Sequence, residues 1–78
     1  RHSTIADAKR IFQQALRCAA TGLILCHNHP SGHCKPSTQD QALTKDIKEF
    51  AKLIDMKLLD HVIFTDNGYF SFADEGIL

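Results

Sequence analysis

Four polar residues stand close together in this 78-residue sequence: His27 and His29, flanking Asn28, then Ser37 and Asp40. Imidazole nitrogens and a carboxylate oxygen are ligands of catalytic zinc, which takes three protein groups and leaves a fourth position to water. No cysteine belongs to this set, which argues against a closed structural site. Ser37 and Asp40 also read as a capping-box variant ahead of an apolar-periodic run, with Asp40 favoured by the helix dipole. The two readings are compatible, because a capping residue can double as a site residue.

The elements around these residues have to bring them together. Leu23-Ile24-Leu25 reads as a strand that runs into the histidines. Alternation points His27 and His29 to one side and Asn28 to the other, about 6–7 Å apart along the backbone. Pro30 biases His29 toward an extended conformation, which preserves that geometry. A helix then starts at Ser37, with Asp40 in its first turn and its Cβ tilted back toward the histidines. The unit is strand–loop–helix, the place where α/β folds put their chemistry. Because the strand is apolar on both faces, we expect it to be central and covered on both sides, with Cys26 turned into the core. Pro30, Ser31, Gly32 and Pro36 are turn formers, and Gly32 suits a tight path beside the metal.

Upstream, Thr4 and Asp7 read as a helix start signal. Ile5, Ala8, Ile11, Phe12, Ala15, Leu16 and Ala19 follow at helical spacing, with Lys9, Arg10, Gln13, Gln14 and Arg17 opposite. Gly22 suits the left-handed position that ends this helix, and Cys18 reads as a packing residue. Downstream, the second helix is expected from about Thr38 to Ile54. Its buried stripe would be Ala42, Leu43, Ile47, Phe50, Ala51 and Ile54, and its solvated side Lys45, Lys48, Glu49 and Lys52. Leu58–Thr65 and Tyr69–Phe72 read as a hairpin turning at Asp66-Asn67-Gly68. His61 is read as a structural hydrogen-bonder in the first of these strands.

Length permits one small domain, with about 60% of the unfolded surface buried. The chain begins at Arg1, so we expect a piece of something longer. Nine basic and nine acidic residues give zero formal charge, which does not support direct DNA binding. Nothing approaches the 18 or so apolar residues of a membrane span. Three cysteines without paired spacing point to reduced thiols and the cytoplasm.

The pattern His27-x-His29, seven residues, Ser37, two residues, Asp40 resembles the JAMM (JAB/MPN-type) metalloprotease motif. Leu25–Gly32, Pro36-Ser37, Leu58–Ile63 and Tyr69–Phe72 further resemble the C-terminal domain of RadC-family proteins. The resemblance implies an α/β, cytidine-deaminase-like three-layer sandwich, here a fragment with two helices and about three strands. It implies Zn2+ held by His27, His29 and Asp40, a Ser37 that helps hold an oxyanion or a water, and a peptide or isopeptide substrate. It also implies a glutamate upstream of the histidines as proton acceptor. Only Glu49 and Glu75 are present, both downstream. Metal binding is therefore better supported than catalysis, and a JAB-fold interaction module without activity is the alternative. His33 and Cys34 depart from the usual loop; both are borderline or soft metal ligands that could coordinate in another geometry, and the preferred reading is a loop His and Cys without a role. The family's link to DNA repair suggests a third reading, which the neutral charge opposes. The early strands of the fold are also missing, so we expect either a homodimer through an exposed sheet edge or a longer chain of which this is the ordered part.

Overall fold

The protein is described from a computed structural model covering residues 3–29 and 33–78, and of residues 3–7 the backbone alone. The readings of Pro30, Ser31 and Gly32, and of the side chains of Thr4, Ile5 and Asp7, lie outside the described residues.

Helical spacing is realised in α1, Ser3–Arg17. Phe12 and Ala15 are buried, and Ala8 and Ile11 pack against the same core. The helix already includes Ser3 and Thr4, so it starts ahead of the expected signal. Leu16 is exposed, and Ala19 lies beyond the last turn.

The end of α1 also differs from expectation. Ala19, not Gly22, takes the left-handed conformation, with φ 54°. The Ala20 N–H donates to the Ala15 carbonyl at 2.9 Å and the Ala19 N–H to the Leu16 carbonyl at 3.1 Å. These two bonds make a Schellman motif. The second helix, α2 (Thr38–Leu53), ends in the same way around Asp55, with φ 58°. There the Met56 N–H donates to the Ala51 carbonyl at 2.8 Å and the Asp55 N–H to the Lys52 carbonyl at 3.3 Å. Ala20 and Met56, each one residue past the left-handed position, pack into the core. A side chain in this conformation costs roughly 1 kcal/mol, which glycine avoids. Ala19→Gly should therefore raise unfolding free energy by about 1 kcal/mol, read as a higher urea midpoint with unchanged slope.

Gly22 has a different use. It opens β1 (Gly22–Asn28), where an added Cβ would lie 2.9 Å from Leu59 Cδ1 on the next strand. The other strands are β2 (Lys57–Thr65) and β3 (Gly68–Ser71), and the sheet order is β1-β2-β3. β1 and β2 are parallel, joined through α2, and β2 and β3 form an antiparallel hairpin. The architecture is α/β, with two helices and a three-stranded mixed sheet.

The parallel ladder contains a bulge. Leu23 pairs with Leu58, but Ile24 pairs with Asp60, so Leu59 is a surplus residue on β2. Such a bulge re-aims side chains. Leu58, His61 and Ile63 are all buried, a spacing that strict alternation would not allow.

Phe12, Ala15, Leu25, Ile47, Ala51, Met56 and Leu58 form one core shared by both helices and the inner face of the sheet. The outer face is bare among the described residues: Ile24 is 58% exposed, and Cys26, Leu59 and Phe64 are exposed too. This corrects the reading of β1 as a central strand covered on both sides. β1 is the end strand here, no described element lies over its outward residues, and Cys26 is not core. Cys18 is likewise exposed rather than packed. On α2, Asp40 and Thr44 are buried while Ala42 and Phe50 are exposed. The buried stripe has rotated toward the residues that face β2. Lys48 leaves the solvated side, its Nζ donating to the Leu78 carbonyl at 2.8 Å.

Asp60 ties β2 to the end of β3. Its carboxylate accepts from the His61 N–H at 2.7 Å, the Ala73 N–H at 2.9 Å and the Ser71 hydroxyl at 2.6 Å. Burial pushes this carboxyl up, but these donors outweigh it and hold it below the ordinary carboxylate value. Among the described residues no helix is long and apolar enough to cross a membrane.

Candidate metal centre

The end of β1 delivers both histidines. His27 pairs with Ile63, and the His29 N–H donates to the Phe64 carbonyl at 2.9 Å, one step past the strand. The backbone therefore stays extended through His29, and the two rings project from the same face.

The start of α2 delivers the carboxylate. Ser37 is the N-cap, and its hydroxyl oxygen accepts from the Asp40 N–H at 3.0 Å. The Ser37 N–H in return donates to Asp40 Oδ2 at 2.7 Å. This reciprocal pair is a capping box, and it fixes the Asp40 rotamer.

The three groups meet. His27 Nε2 lies 3.0 Å from Asp40 Oδ1, and His29 Nε2 lies 2.9 Å from Asp40 Oδ2. The two Nε2 atoms are 3.1 Å apart. Ligand atoms around a tetrahedral zinc, with bonds of about 2.0–2.1 Å, stand roughly 3.3 Å apart. The spacing fits zinc after a shift of a few tenths of an ångström. Among the described residues this is the group of His, Cys, Asp and Glu side chains whose ligand atoms converge on one point.

Protonation supports the same use. His29 Nδ1 lies 3.1 Å from the His33 carbonyl, which can only accept. Nδ1 therefore carries a proton, which leaves Nε2 as the nitrogen that can give a lone pair to a metal. Asp40 is 8% exposed. Its burial pushes the carboxyl up, but the Ser37 N–H and side chain, then His27 and His29, outweigh this and hold it below the ordinary value. The carboxylate is thus ionised at neutral pH, as a ligand must be.

The partner of His27 is another ring. His27 Nδ1 lies 3.0 Å from Nε2 of His61, whose Nδ1 lies 2.6 Å from Thr44 Oγ1. His61 is wholly buried and stacks on Phe72, the planes 5° apart. Burial, then His27, hold its pKa below the ordinary imidazole value against the pull of Asp40 and Asp60. His61 lies outside the converging group and hydrogen-bonds to a member of it. The sequence reading missed Thr44, although Asp40 and Thr44 are four residues apart and share a helix face.

The loop residues divide. His33 lends its carbonyl to the site, and Cys34 Sγ lies 3.2 Å from Thr65 Oγ1 on the hairpin. Glu49 and Glu75 stand outside the converging group. An open cleft of about 870 Å³ reaches His27 and Asp40 between walls that include Ile11, Leu23 and Leu43.

Comparison with known proteins places these features in a wider set. The family model described as "RadC-like JAB domain" matches residues 1–77. A "UPF0758 protein" of Flavobacterium johnsoniae is 53% identical over 95% of this chain, and its namesake in Porphyromonas gingivalis is 49% identical over 96%. A third, from Thermotoga maritima, is 44% identical over 96%. The matched regions cover 32%, 34% and 34% of those relatives, so the chain spans about a third of their length.

Proposed function

We propose, from the premise that the chain belongs to the RadC-like JAB domain family, that it is the metal-holding part of a zinc-dependent metallopeptidase or isopeptidase-like hydrolase. The observation that carries this is the convergence of His27 Nε2, His29 Nε2 and the Asp40 carboxylate at separations of 2.9–3.1 Å. When bound, zinc supplies Lewis acidity toward a scissile carbonyl and lowers the pKa of a water to about 7.

The residues of this chain then have separable tasks. His27 and His29 hold the metal through neutral imidazoles, and Asp40 offsets part of its charge. Ser37, one helical turn from Asp40 at the cap, directs its hydroxyl proton at the oxygen where charge develops. The open cleft beside Asp40, with apolar walls, accepts a chain segment. Peptide and isopeptide amides are the substrates this chemistry suits. The proton acceptor is a glutamate supplied by the length of the full protein that this chain does not span. The three thiols, none in a disulfide, accord with the cytoplasm. The open edge of β1 is where a second copy would pair.

The position of Glu49 and Glu75 favours one other reading, a metal-binding interaction module without hydrolysis. Full-length protein decides between them. It should take up one zinc per chain and cleave members of a peptide or Lys-linked isopeptide library, with cleavage lost on chelation and restored by zinc. Zinc uptake without cleavage leaves the module; no zinc uptake overturns both.

A further inference from the structure

A zinc ligand histidine needs its other nitrogen held, because that bond selects the tautomer that faces the metal. For His29 a backbone carbonyl does this. For His27 the bonding partner is a ring that could donate or accept, so the direction has to come from further out.

It comes from Thr44. Its single hydroxyl proton goes to the Asp40 carbonyl, which can only accept, at 2.7 Å. The Thr44 oxygen therefore accepts at its 2.6 Å contact with His61, and the proton there sits on His61 Nδ1. A neutral imidazole that donates through Nδ1 keeps its other nitrogen as the acceptor. His61 Nε2 is then bare, and it accepts from the His27 Nδ1–H at 3.0 Å. We infer that His61, oriented by Thr44, is a positioning residue that sets the tautomer of His27 and so presents the bare His27 Nε2 to the metal. This rests on the metal reading above and adds to it a residue that touches neither metal nor substrate.

The placement has further support. Phe72 stacks flat on His61 with centroids 4.7 Å apart, which fixes the ring plane. Asp60 grips the His61 N–H at 2.7 Å and the neighbouring Ser71 hydroxyl at 2.6 Å, which fixes the backbone beneath it. The bulge at Leu59 brings His61 onto the buried face with Leu58. The relay runs from the Asp40 carbonyl through Thr44 and His61 to His27, while the Asp40 carboxylate meets the same His27 from the other side at 3.0 Å. One residue thus begins the relay and closes it.

Three variants test this on the full-length protein. His61→Phe keeps the stack on Phe72 and removes both nitrogens. His61→Gln restores an acceptor toward His27. Thr44→Val removes the hydroxyl and leaves the ring. Zinc affinity is read by competition with a chromophoric chelator, and the His27 tautomer by long-range proton–nitrogen NMR on the metal-free protein. We expect His27 to be protonated at Nδ1 in the unmodified protein and to lose that preference in His61→Phe, with zinc affinity down about 10- to 100-fold, the usual effect of losing such a partner. Thr44→Val should move both readouts in the same direction, and His61→Gln should recover much of the affinity. If His61→Phe does not fold, by circular dichroism, Thr44→Val and His61→Gln decide. An unchanged His27 tautomer in His61→Phe, or in Thr44→Val where His61→Phe does not fold, overturns the inference, even where affinity falls, since that is a structural loss alone. An unmodified protein that takes up no zinc overturns the metal reading instead, and the inference with it.

Discussion

His27→Ala and His29→Ala each leave the protein without stoichiometric zinc. Both rings supply one of three converging ligand atoms, and the spacing of 2.9–3.1 Å leaves no neighbour that substitutes. Among the described residues Cys26, next to His27, is exposed on the outer face of the sheet, and the sulfur of Cys34 is turned to Thr65 at 3.2 Å. Two protein ligands and water hold zinc far more weakly than three. We expect affinity to drop by more than about 100-fold, the upper end of what loss of a mere outer partner costs. The folds should respond unequally. His29→Ala removes a half-buried ring whose outer partner is a carbonyl near solvent. His27→Ala also strips His61 of its Nε2 partner inside the core, at a cost of about 1–3 kcal/mol. Metal analysis after dialysis, paired with urea unfolding of the metal-free proteins, measures both effects. Full zinc retention in both variants would end the hydrolase proposal.

Asp40→Asn and Ser37→Ala separate two duties that share one capping box. In Asp40→Asn the side-chain oxygen can still accept the Ser37 N–H that now reaches Oδ2 at 2.7 Å. The helix start survives, but the anionic ligand is gone, and with it the charge that offsets the cation. Zinc affinity should fall by more than about 100-fold, with a small change in stability. Ser37→Ala does the reverse. It removes the hydroxyl that accepts the Asp40 N–H and costs about 1 kcal/mol, as other N-cap losses do. The Ser37 backbone N–H remains to orient Asp40, so zinc should be held within several-fold of the original affinity while cleavage slows. Calorimetric titration with zinc and thermal unfolding distinguish the two patterns. If both variants lose zinc equally, cap and ligand are not separable and Ser37 does more than cap and polarise.

Local rules carried the part of the site that lies along the chain. Strand alternation places His27 and His29 together, and first-turn geometry places Asp40 opposite them. The hairpin at Asp66-Asn67 and the start of α2 were legible for the same reason, since turn and capping residues mark them. The helix ends were not. Ala19 and Asp55 adopt left-handed conformations that composition does not announce, and the nearby Gly22 drew the assignment to itself. The two faces of β1 were equally opaque: an apolar run shows that Ile24 and Leu25 avoid water, not which of them an element covers. His61 and Thr44 meet across 17 residues, and neither spacing nor periodicity reports a contact made through a crossover.

Leu59 has one more consequence. As the residue without a partner, it can be removed and the ladder still joins Leu23 to Leu58 and Ile24 to Asp60 in unbroken order. β2 therefore carries one residue of slack upstream of Asp60. Downstream it carries none, because a residue gained or lost between Asp60 and Ile63 would turn His61 or Ile63 outward and dismantle the support beneath His27. A deletion at Leu59 is thus expected to be tolerated in this chain, whereas a residue gained or lost between Asp60 and Ile63 is not.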